Sequence, residues 1–275
     1  DCSICFGKSV MSESPIIDIG ANLTHPDLHP NIQQIIQQMD DSNVTRAIII
    51  ASNLEDASKA ISIVECYPEK FYTTVGFHPH NAKEFSHSDV EGIKKLLQNK
   101  FIVAIGECGL DYYRLYSDKK TQIFCFENHV RLAIDSKKPL FLHERNAHKD
   151  FYAILSSASN KLSKFVVHCF TGDKNILKKY LDLGSYIGIT GWITDKDRGS
   201  HLHDIMQYIP SDRLMIETDC PYLIPHNIEK NVGKTNYPYY LPYVASFLAA
   251  CLNKDVNSVR KSTYKTTKEF FSIND

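Results

Sequence analysis

The sequence predicts an α/β protein built as a single (β/α)8 TIM barrel, and three features lead to this fold. Eight short apolar runs occur along the chain, and each is followed by polar residues or glycine. The runs are almost continuously hydrophobic, which is typical of parallel strands buried on both faces. Segments with helical periodicity lie between the runs, and the 275 residues suit a barrel that usually needs about 250.

The eight apolar runs define the expected strands, each followed by a helix or a helical pattern. They cover residues 15–20, 46–52, 72–76, 102–106, 139–143, 165–168, 186–190 and 214–219. An open, doubly wound sheet is the competing architecture, and it would favour a G-x-G-x-x-G motif after the first strand. That motif is absent from the sequence, so the closed barrel is preferred.

The expected helices follow from the spacing of apolar residues. Ile32, Ile35, Ile36 and Met39 share one helical face, at the spacing i, i+3, i+4 and i+7. Ser88 and Glu91 match a capping box, which predicts the start of a later helix. Two more helices are expected after the last strand, over residues 241–252 and 256–271.

Composition limits the classes of protein to consider. The net charge of −1 gives no overall field for polyanions, so nucleic acid would have to bind through local contacts. The chain lacks an apolar run long enough to cross a membrane, and its first ten residues lack the apolar segment of a signal peptide. We therefore expect one domain over residues 15–275, preceded by an extension over residues 1–14.

The eight cysteines are scattered and do not suggest a disulfide framework, which favours a reducing compartment. We therefore expect a location in the cytoplasm or the nucleus. Cys2 and Cys5 form an isolated C-x-x-C pair without a second pair. A redox or zinc function is a weak interpretation of that pair.

The most informative stretch is residues 102–111, because its apolar run leads directly into Gly106 and Glu107. A buried strand would deliver the Glu107 carboxylate from its tip into a glycine-bounded loop. Desolvating a carboxylate costs several kcal/mol unless a cation or hydrogen-bond donors meet it. We therefore interpret Glu107 as the centre of a metal site.

Other expected strand ends also carry residues that can bind a metal. In a barrel of this kind the chemistry lies at the carboxyl ends of the strands. The residues found there are Asp18 and Asn22, His78 and His80, Glu107, His143, His168, and Asp219. Taken singly, each histidine could be a hydrogen-bonded core residue, and Asp219 could begin a turn before Pro221. A shared metal site explains all of them at once.

The kinds of donor atom indicate which metals could bind. Glu107 and Asp219 offer oxygen, whereas His143 and His168 offer nitrogen. This set suits Mg²⁺ or Mn²⁺, and it also suits Zn²⁺. Cysteines follow Glu107, His168 and Asp219 directly, and we interpret them as small packing residues.

Seven blocks of sequence resemble the signature motifs of the TatD family of metal-dependent deoxyribonucleases. They run in order from about residue 15 to the C-terminus. The blocks are residues 18–24 (DIGANLT), 76–80 (GFHPH), 104–111 (AIGECGLD), 141–143 (FLH), 167–172 (VHCFTG), 188–192 (GITGW) and 216–223 (IETDCPYL).

The resemblance implies an amidohydrolase-like barrel that removes nucleotides from DNA with the help of a divalent metal. It implies that Glu107, His143, His168 and Asp219 bind the metal. It further implies that His78 lies near the substrate, and it suggests the same for His80. Arg145 matches an arginine of the family and could contact a phosphate through two hydrogen bonds.

The sequence departs from the family pattern after the first strand. Many members have D-x-H-x-H there, whereas this chain has Gly20 and Asn22. We expect a site with one firmly held ion, Mg²⁺ above all, and a second ion that the substrate could recruit. Asn22 could offer an amide oxygen, which suits a hard ion. Glu144 and Asn146 also differ from the common pattern, and their roles stay open.

The expected reaction is hydrolysis of phosphodiester bonds by an activated water, with Glu107 and Asp219 as catalytic residues. Asp219 is our candidate for the general base. Tyr112, Tyr113 and Trp192 could stack on bases or pack in loops. We expect a monomeric 3′–5′ exonuclease that acts on single-stranded DNA or frayed ends and has no membrane contact.

Two other functions are compatible with the same residues. One is an amidohydrolase, an esterase or a deacylase of a tRNA-linked substrate, because a barrel does not fix its substrate. The other is a non-catalytic binding or scaffold protein, which the four candidate metal-binding residues argue against.

Overall fold

The computed structural model describes residues 13–229 and 233–274. Within these ranges eight strands follow one another along the chain. They are β1 (Ile16–Ala21), β2 (Val44–Ile49), β3 (Phe71–Val75), β4 (Ile102–Asp111), β5 (Leu140–Arg145), β6 (Phe165–Val167), β7 (Tyr186–Ile189) and β8 (Leu214–Ile216).

The α-helices of the described ranges lie between and after these strands. They are α1 (Ile32–Asp41), α2 (Leu54–Cys66), α3 (His87–Leu96), α4 (Lys119–Ser136), α5 (His148–Ala158), α6 (Lys174–Asp182), α7 (Ser200–His203), α8 (Leu241–Cys251) and α9 (Val256–Phe271). Helices α8 and α9 match the two expected after the last strand.

The sheet has the strand order β1 to β8, and every neighbouring pair is parallel. β8 returns to β1, where a parallel bridge joins Ala21 to Cys220. This arrangement confirms the predicted (β/α)8 barrel. The expected extension over residues 1–14, with Cys2 and Cys5, lies almost wholly outside the described residues.

Two apolar clusters show why the continuous hydrophobic runs fold as barrel strands. One cluster includes Ile17, Ile48, Val103 and Phe141, which come from alternate positions of different strands and fill the barrel. The larger cluster lies between the outer face of the sheet and the helices. Since both faces of each strand are covered, polar side chains are confined to the strand ends.

The last helix closes one end of the barrel. Phe270 and Phe271 of α9 belong to the same apolar cluster as the barrel interior. Lys164, directly before β6, bonds to backbone carbonyls of this part of α9. α9 therefore covers the amino-terminal end of the strands and leaves the carboxyl end open.

Two local predictions differ from the structure. The expected Glu107 strand ended at residue 106, with Glu107 in a loop, but β4 continues through Glu107 to Asp111, and all ten of its residues are buried. The capping box of α3 is formed by Ser86 and Asp89, not by Ser88 and Glu91. A serine and an acid at the right spacing occur twice in this stretch, and spacing alone could not choose between them.

The described residues contain six cysteines, and all six are free. Within the same residues, no helix is both long and apolar enough to cross a membrane.

Candidate metal centre

The four predicted metal-binding residues and His78, which was predicted to lie near the substrate, come from five different strand ends. Glu107 projects from β4 and His143 from β5, while His168 follows β6 directly. His78 lies three residues beyond β3, and Asp219 lies three residues beyond β8. All five line one cleft at the carboxyl end of the barrel, as predicted for parallel strands that share this end.

Three imidazole rings converge on one carboxylate oxygen of Glu107. Its Oε1 lies 2.8 Å from His168 Nε2, 2.9 Å from His143 Nδ1 and 3.3 Å from His78 Nε2. The residue is only 6% exposed. A buried carboxylate is therefore matched by three nitrogen groups, each of which can donate to it or bind a cation beside it.

The donor atoms are close enough for a single ion. One ligand atom each from His78, Glu107 and His143 lie within 4.8 Å of one another. His168 Nε2 lies 3.4 Å from His143 Nδ1, so it faces the same point. Asp219 lines the cleft but is not among the three residues of that close group.

The charges at the site depend on burial and on mutual contact. Burial alone would raise the pKa of Glu107, but His168 and His78 hold it well below its usual range. Burial would lower the pKa of His168, but Glu107 and Glu217 raise it well above its usual value. Burial lowers the pKa of His78 to about 4, against the opposing effect of Glu107.

Asp219 is in a different electrostatic state from Glu107. Burial raises its pKa to about 7, and the negative charges of Glu107 and Glu217 add to this effect, while His168 opposes it. Asn22 donates through its side-chain nitrogen to Asp219 Oδ1 at 3.2 Å and to the Cys220 carbonyl at 2.9 Å. Asn22 therefore orients Asp219, a contact that the sequence did not predict.

Asp111 is a buried carboxylate that the sequence analysis did not place in the site. Its Oδ2 lies 2.8 Å from His80 Nε2 and 3.3 Å from His143 Nε2. Its Oδ1 accepts hydrogen bonds from the backbone N–H groups of Tyr113 and Arg114. Asp111 thus fixes the ring of His143 with Nδ1 towards Glu107. The same carboxylate also holds the ring of His80.

Glu217 plays the matching part for His168. Its Oε2 lies 3.4 Å from His168 Nδ1, and its Oε1 accepts the backbone N–H of Cys169 at 2.6 Å. The carboxylate is completely buried. The signal for both missed acids was present, because Glu217 and Asp111 stand inside quoted motif blocks, in the same blocks as Asp219 and Glu107.

The space beside Glu217 depends on glycine at two positions. A Cβ on Gly20 would lie 2.5 Å from Glu217 Oε2, and one on Gly188 would lie 2.6 Å from Glu217 Oε1. The glycine that departs from the D-x-H-x-H pattern therefore leaves the room that Glu217 occupies.

The other residues named from the sequence lie around the cleft. Arg145 lines it, and its guanidinium carbon lies 4.1 Å from the centre of the Tyr113 ring. The Tyr112 hydroxyl donates to Asp150, and Trp192 donates to the Arg198 carbonyl. Tyr112 and Trp192 are thus partly committed to packing, the second of the two interpretations given above.

Glu144, which differs from the common family pattern, makes two hydrogen bonds within the protein. Its carboxylate accepts the backbone N–H of Ala147 at 2.7 Å and the hydroxyl of Tyr180 at 3.1 Å. Glu144 therefore ties the end of β5 to the start of α5 and to α6.

Comparison with known proteins identifies the family. The family model described as TatD related DNase matches residues 17–272. This chain belongs to the TatD-related DNase family. The resemblance inferred from the seven sequence blocks is confirmed.

Individual TatD relatives are similar in sequence to this chain over almost its whole length. The protein named 3′-5′ ssDNA/RNA exonuclease TatD from Edwardsiella piscicida is 36% identical over 259 residues, which cover 94% of this chain and 100% of that protein. Its namesake from Pantoea vagans is 37% identical with the same coverage.

Solved TatD structures have the same fold. The crystal structure of a TatD family hydrolase from Entamoeba histolytica matches with a TM-score of 0.85 at 27% identity, covering 94% of this chain and 98% of that one. The TatD homologue YJJV from Escherichia coli matches with a TM-score of 0.85 at 24% identity and the same coverage. The second match bears on the fold alone.

Proposed function

We propose that this chain is a divalent-metal-dependent nuclease that removes nucleotides from the 3′ end of single-stranded DNA. The observation that carries the proposal is the convergence of His78, His143 and His168 on one buried oxygen of Glu107. Relatives that match over 94% of the chain are named as exonucleases of this polarity. A monomeric state and a cytoplasmic or nuclear location remain predictions.

The chemistry of the donor set fits a divalent cation. A buried carboxylate with three facing imidazoles satisfies the ligand preferences of Zn²⁺ and Mn²⁺, and the oxygens of Glu107 and Asp219 also suit Mg²⁺. Bound between Glu107, His143, His168 and Asp219, the ion would neutralise phosphate charge and make water a better nucleophile. We propose Mg²⁺ as the cofactor and one firmly held ion as the resting state.

The residues of the chain would divide the remaining tasks. Asp219 lines the cleft and its Oδ1 accepts the Asn22 amide, so its carboxylate is placed to accept a proton from the attacking water. His78 and Arg145 line the cleft and would contact the phosphate. His80 is held by Asp111, so we assign it a supporting place beside His78 and His143.

The first experiment tests both the reaction and the metal. End-labelled single-stranded DNA and RNA would be digested with Mg²⁺, Mn²⁺ or Zn²⁺, next to a panel of esters and amides. We expect release of nucleotides from the 3′ end of DNA. The Glu107→Ala variant should lose at least about a hundredfold in kcat, because the central carboxylate is removed.

The matched control for this test is Glu91→Ala, which removes an exposed glutamate that pairs with Lys94 on α3. It should cleave DNA like the unaltered protein. Near-normal cleavage by Glu107→Ala would contradict the assignment of the site. Cleavage of esters or amides without cleavage of nucleic acid would favour the alternative hydrolase.

A further inference from the structure

A contiguous exposed stretch follows β4 beside the metal centre. Tyr113 is 60% exposed, Leu115 is 46% exposed and Tyr116 is 59% exposed, and Arg114 between them is also exposed. We call residues 113–116 the Tyr113–Tyr116 platform. Large apolar side chains grouped at the surface commonly mark a binding site.

The platform is held firmly at both ends. Asp111 Oδ1 accepts the backbone N–H groups of Tyr113 and Arg114, each at 2.9 Å. At the other end Ser117 is buried, and its hydroxyl donates to the His80 carbonyl and accepts the N–H of Lys83. The exposed residues therefore sit on a fixed loop, which reduces the entropy lost when a ligand binds.

The buried side chain of Gln122 ties the two ends of the loop together. It donates to the carbonyls of Asp111 and Ser117, both at 2.9 Å, and accepts the N–H of Asp111. Leu115 is held at a φ of +50°, a region that bulky residues rarely adopt. Strain of this kind is concentrated at functional sites.

Two contacts join the platform to the residues of the cleft. The Arg145 guanidinium lies 4.1 Å from the centre of the Tyr113 ring. The Tyr116 ring centre lies 4.8 Å from that of His80, which itself bonds Asp111. The platform thus adjoins Arg145, the proposed phosphate contact, and His80 beside the metal centre.

The segment after β8 adds another exposed tyrosine near the platform. Tyr222 is 54% exposed and lines the cleft together with Arg114. Arg114 and Tyr222 therefore border the same cleft, one from the platform and one from the segment after β8.

We propose that the Tyr113–Tyr116 platform holds the body of a single-stranded nucleic acid, with bases stacked on Tyr113 and Tyr116 and phosphates beside Arg114 and Arg145. This inference rests on the proposed function and adds a binding site outside the metal centre. Aromatic rings alternating with cations are the arrangement that binds single strands without sequence preference. The strand end would then reach Glu107, and the rest would lie along the platform.

The test compares a long and a minimal phosphodiester substrate. The double variant Tyr113→Ala, Tyr116→Ala should raise KM for a single strand of about 20 nucleotides at least tenfold, since stacking on each ring is worth about 1–3 kcal/mol. It should leave kcat on that strand unchanged. Hydrolysis of thymidine 5′-p-nitrophenyl phosphate, which is too short to reach the platform, should also be unchanged.

Two control variants separate stacking from general effects. Tyr113→Phe with Tyr116→Phe should restore the low KM, because it keeps both rings. Tyr208→Ala removes a tyrosine that is 48% exposed and has Lys174 3.9 Å from its ring centre, whereas the platform rings contact Arg145 and His80. It should leave KM unchanged.

The outcomes distinguish this inference from the proposed function. If the unaltered protein cleaves both substrates and the double alanine variant has an unchanged KM for the long strand, the platform is refuted. The proposed nuclease function would still stand. An unaltered protein that cleaves neither substrate would refute the proposed nuclease function. A change in sedimentation coefficient without a change in KM would show that a second copy covers the platform, and would also overturn the inference.

Discussion

Glu217 shows how a residue outside the metal-binding set can control it. Its two carboxylate oxygens have separate tasks, because one accepts the Cys169 N–H and the other faces His168 Nδ1. The contact to Nδ1 fixes the imidazole with Nε2 towards Glu107, and such outer carboxylates hold metal-binding histidines in the productive orientation. Asp111 has the same relation to His143.

At the scale of a single residue, we predict that Glu217→Gln weakens metal binding about 10- to 100-fold. The amide offers only one acceptor oxygen, so it cannot serve both Cys169 and His168. The dissociation constant for Mn²⁺, measured by calorimetry, checks this. Glu144→Gln is the control, since Glu144 bonds Ala147 and Tyr180 instead. Unchanged affinity in Glu217→Gln would show that Glu217 does not position His168.

The β4–β5 pair is the element on which the site is built. β4 carries Glu107 and Asp111 along one edge of β5, which carries His143. The two backbones approach closely at Gly109, where φ is +143° and a Cβ would lie 2.0 Å from the His143 carbonyl oxygen. A side chain at this position would push β5 away and carry His143 with it.

At the scale of the element, we predict that Gly109→Ala lowers the free energy of unfolding by at least about 3 kcal/mol, from the added backbone strain and the forced overlap. Gly184→Ala is the control, since Gly184 has a φ of +87° but no atom within 4 Å of its Cβ. It should cost only about 1–2 kcal/mol from backbone strain. Urea denaturation measures both, and equal losses would contradict a role for the close approach.

Contacts between the outer helices and the loops at the barrel mouth connect the layers of the molecule. His129 of α4 is fully buried. Its Nε2 accepts the backbone N–H of Phe77 at 3.0 Å, and its Nδ1 donates to the Cys125 carbonyl at 2.8 Å. Helix α4 thereby fixes the residue directly before His78. The bond from Phe77 requires the neutral imidazole, because a protonated ring cannot accept the Phe77 N–H.

At this scale we predict a loss of stability in mild acid. Burial lowers the pKa of His129 from 6.5 to about 4 in the folded protein, so between these values the unfolded chain binds the extra proton. The contribution of His129 is fully present above pH 6.5 and is lost as the pH falls towards 4. From about pH 7.5 to about pH 5 the loss should be about 2 kcal/mol.

The matched variant for this prediction is His129→Gln, which has no group that titrates in this range. Urea denaturation of both proteins at the two pH values gives the difference that belongs to His129, because other carboxylates and histidines titrate in both. The variant should lose about 2 kcal/mol less than the unaltered protein between the two pH values. An equal loss in both proteins would show that His129 is not the group responsible.

The barrel, with Glu107, His143, His168 and Asp219 at its mouth, could be predicted from the amino-acid sequence alone. Continuous apolar runs indicate strands buried on both faces. Polar residues at the ends of these runs indicate the edge where the carboxyl ends of parallel strands meet. These signals are local, so they can be read without knowing which segments pack together. The motif blocks are also local in the sequence, so the resemblance to the TatD family could be recognised without the structure.

The contacts between individual atoms could not be predicted and are known only from the folded chain. The extension of β4 to Asp111, the pairing of Asp111 with His143, and the pairing of Glu217 with His168 all join different strands. Their distances depend on strand register and on close backbone approach at glycines, which no spacing along the chain encodes. The same holds for the Tyr113–Tyr116 platform, because exposure and contact with Arg145 or His80 appear only when the barrel has closed.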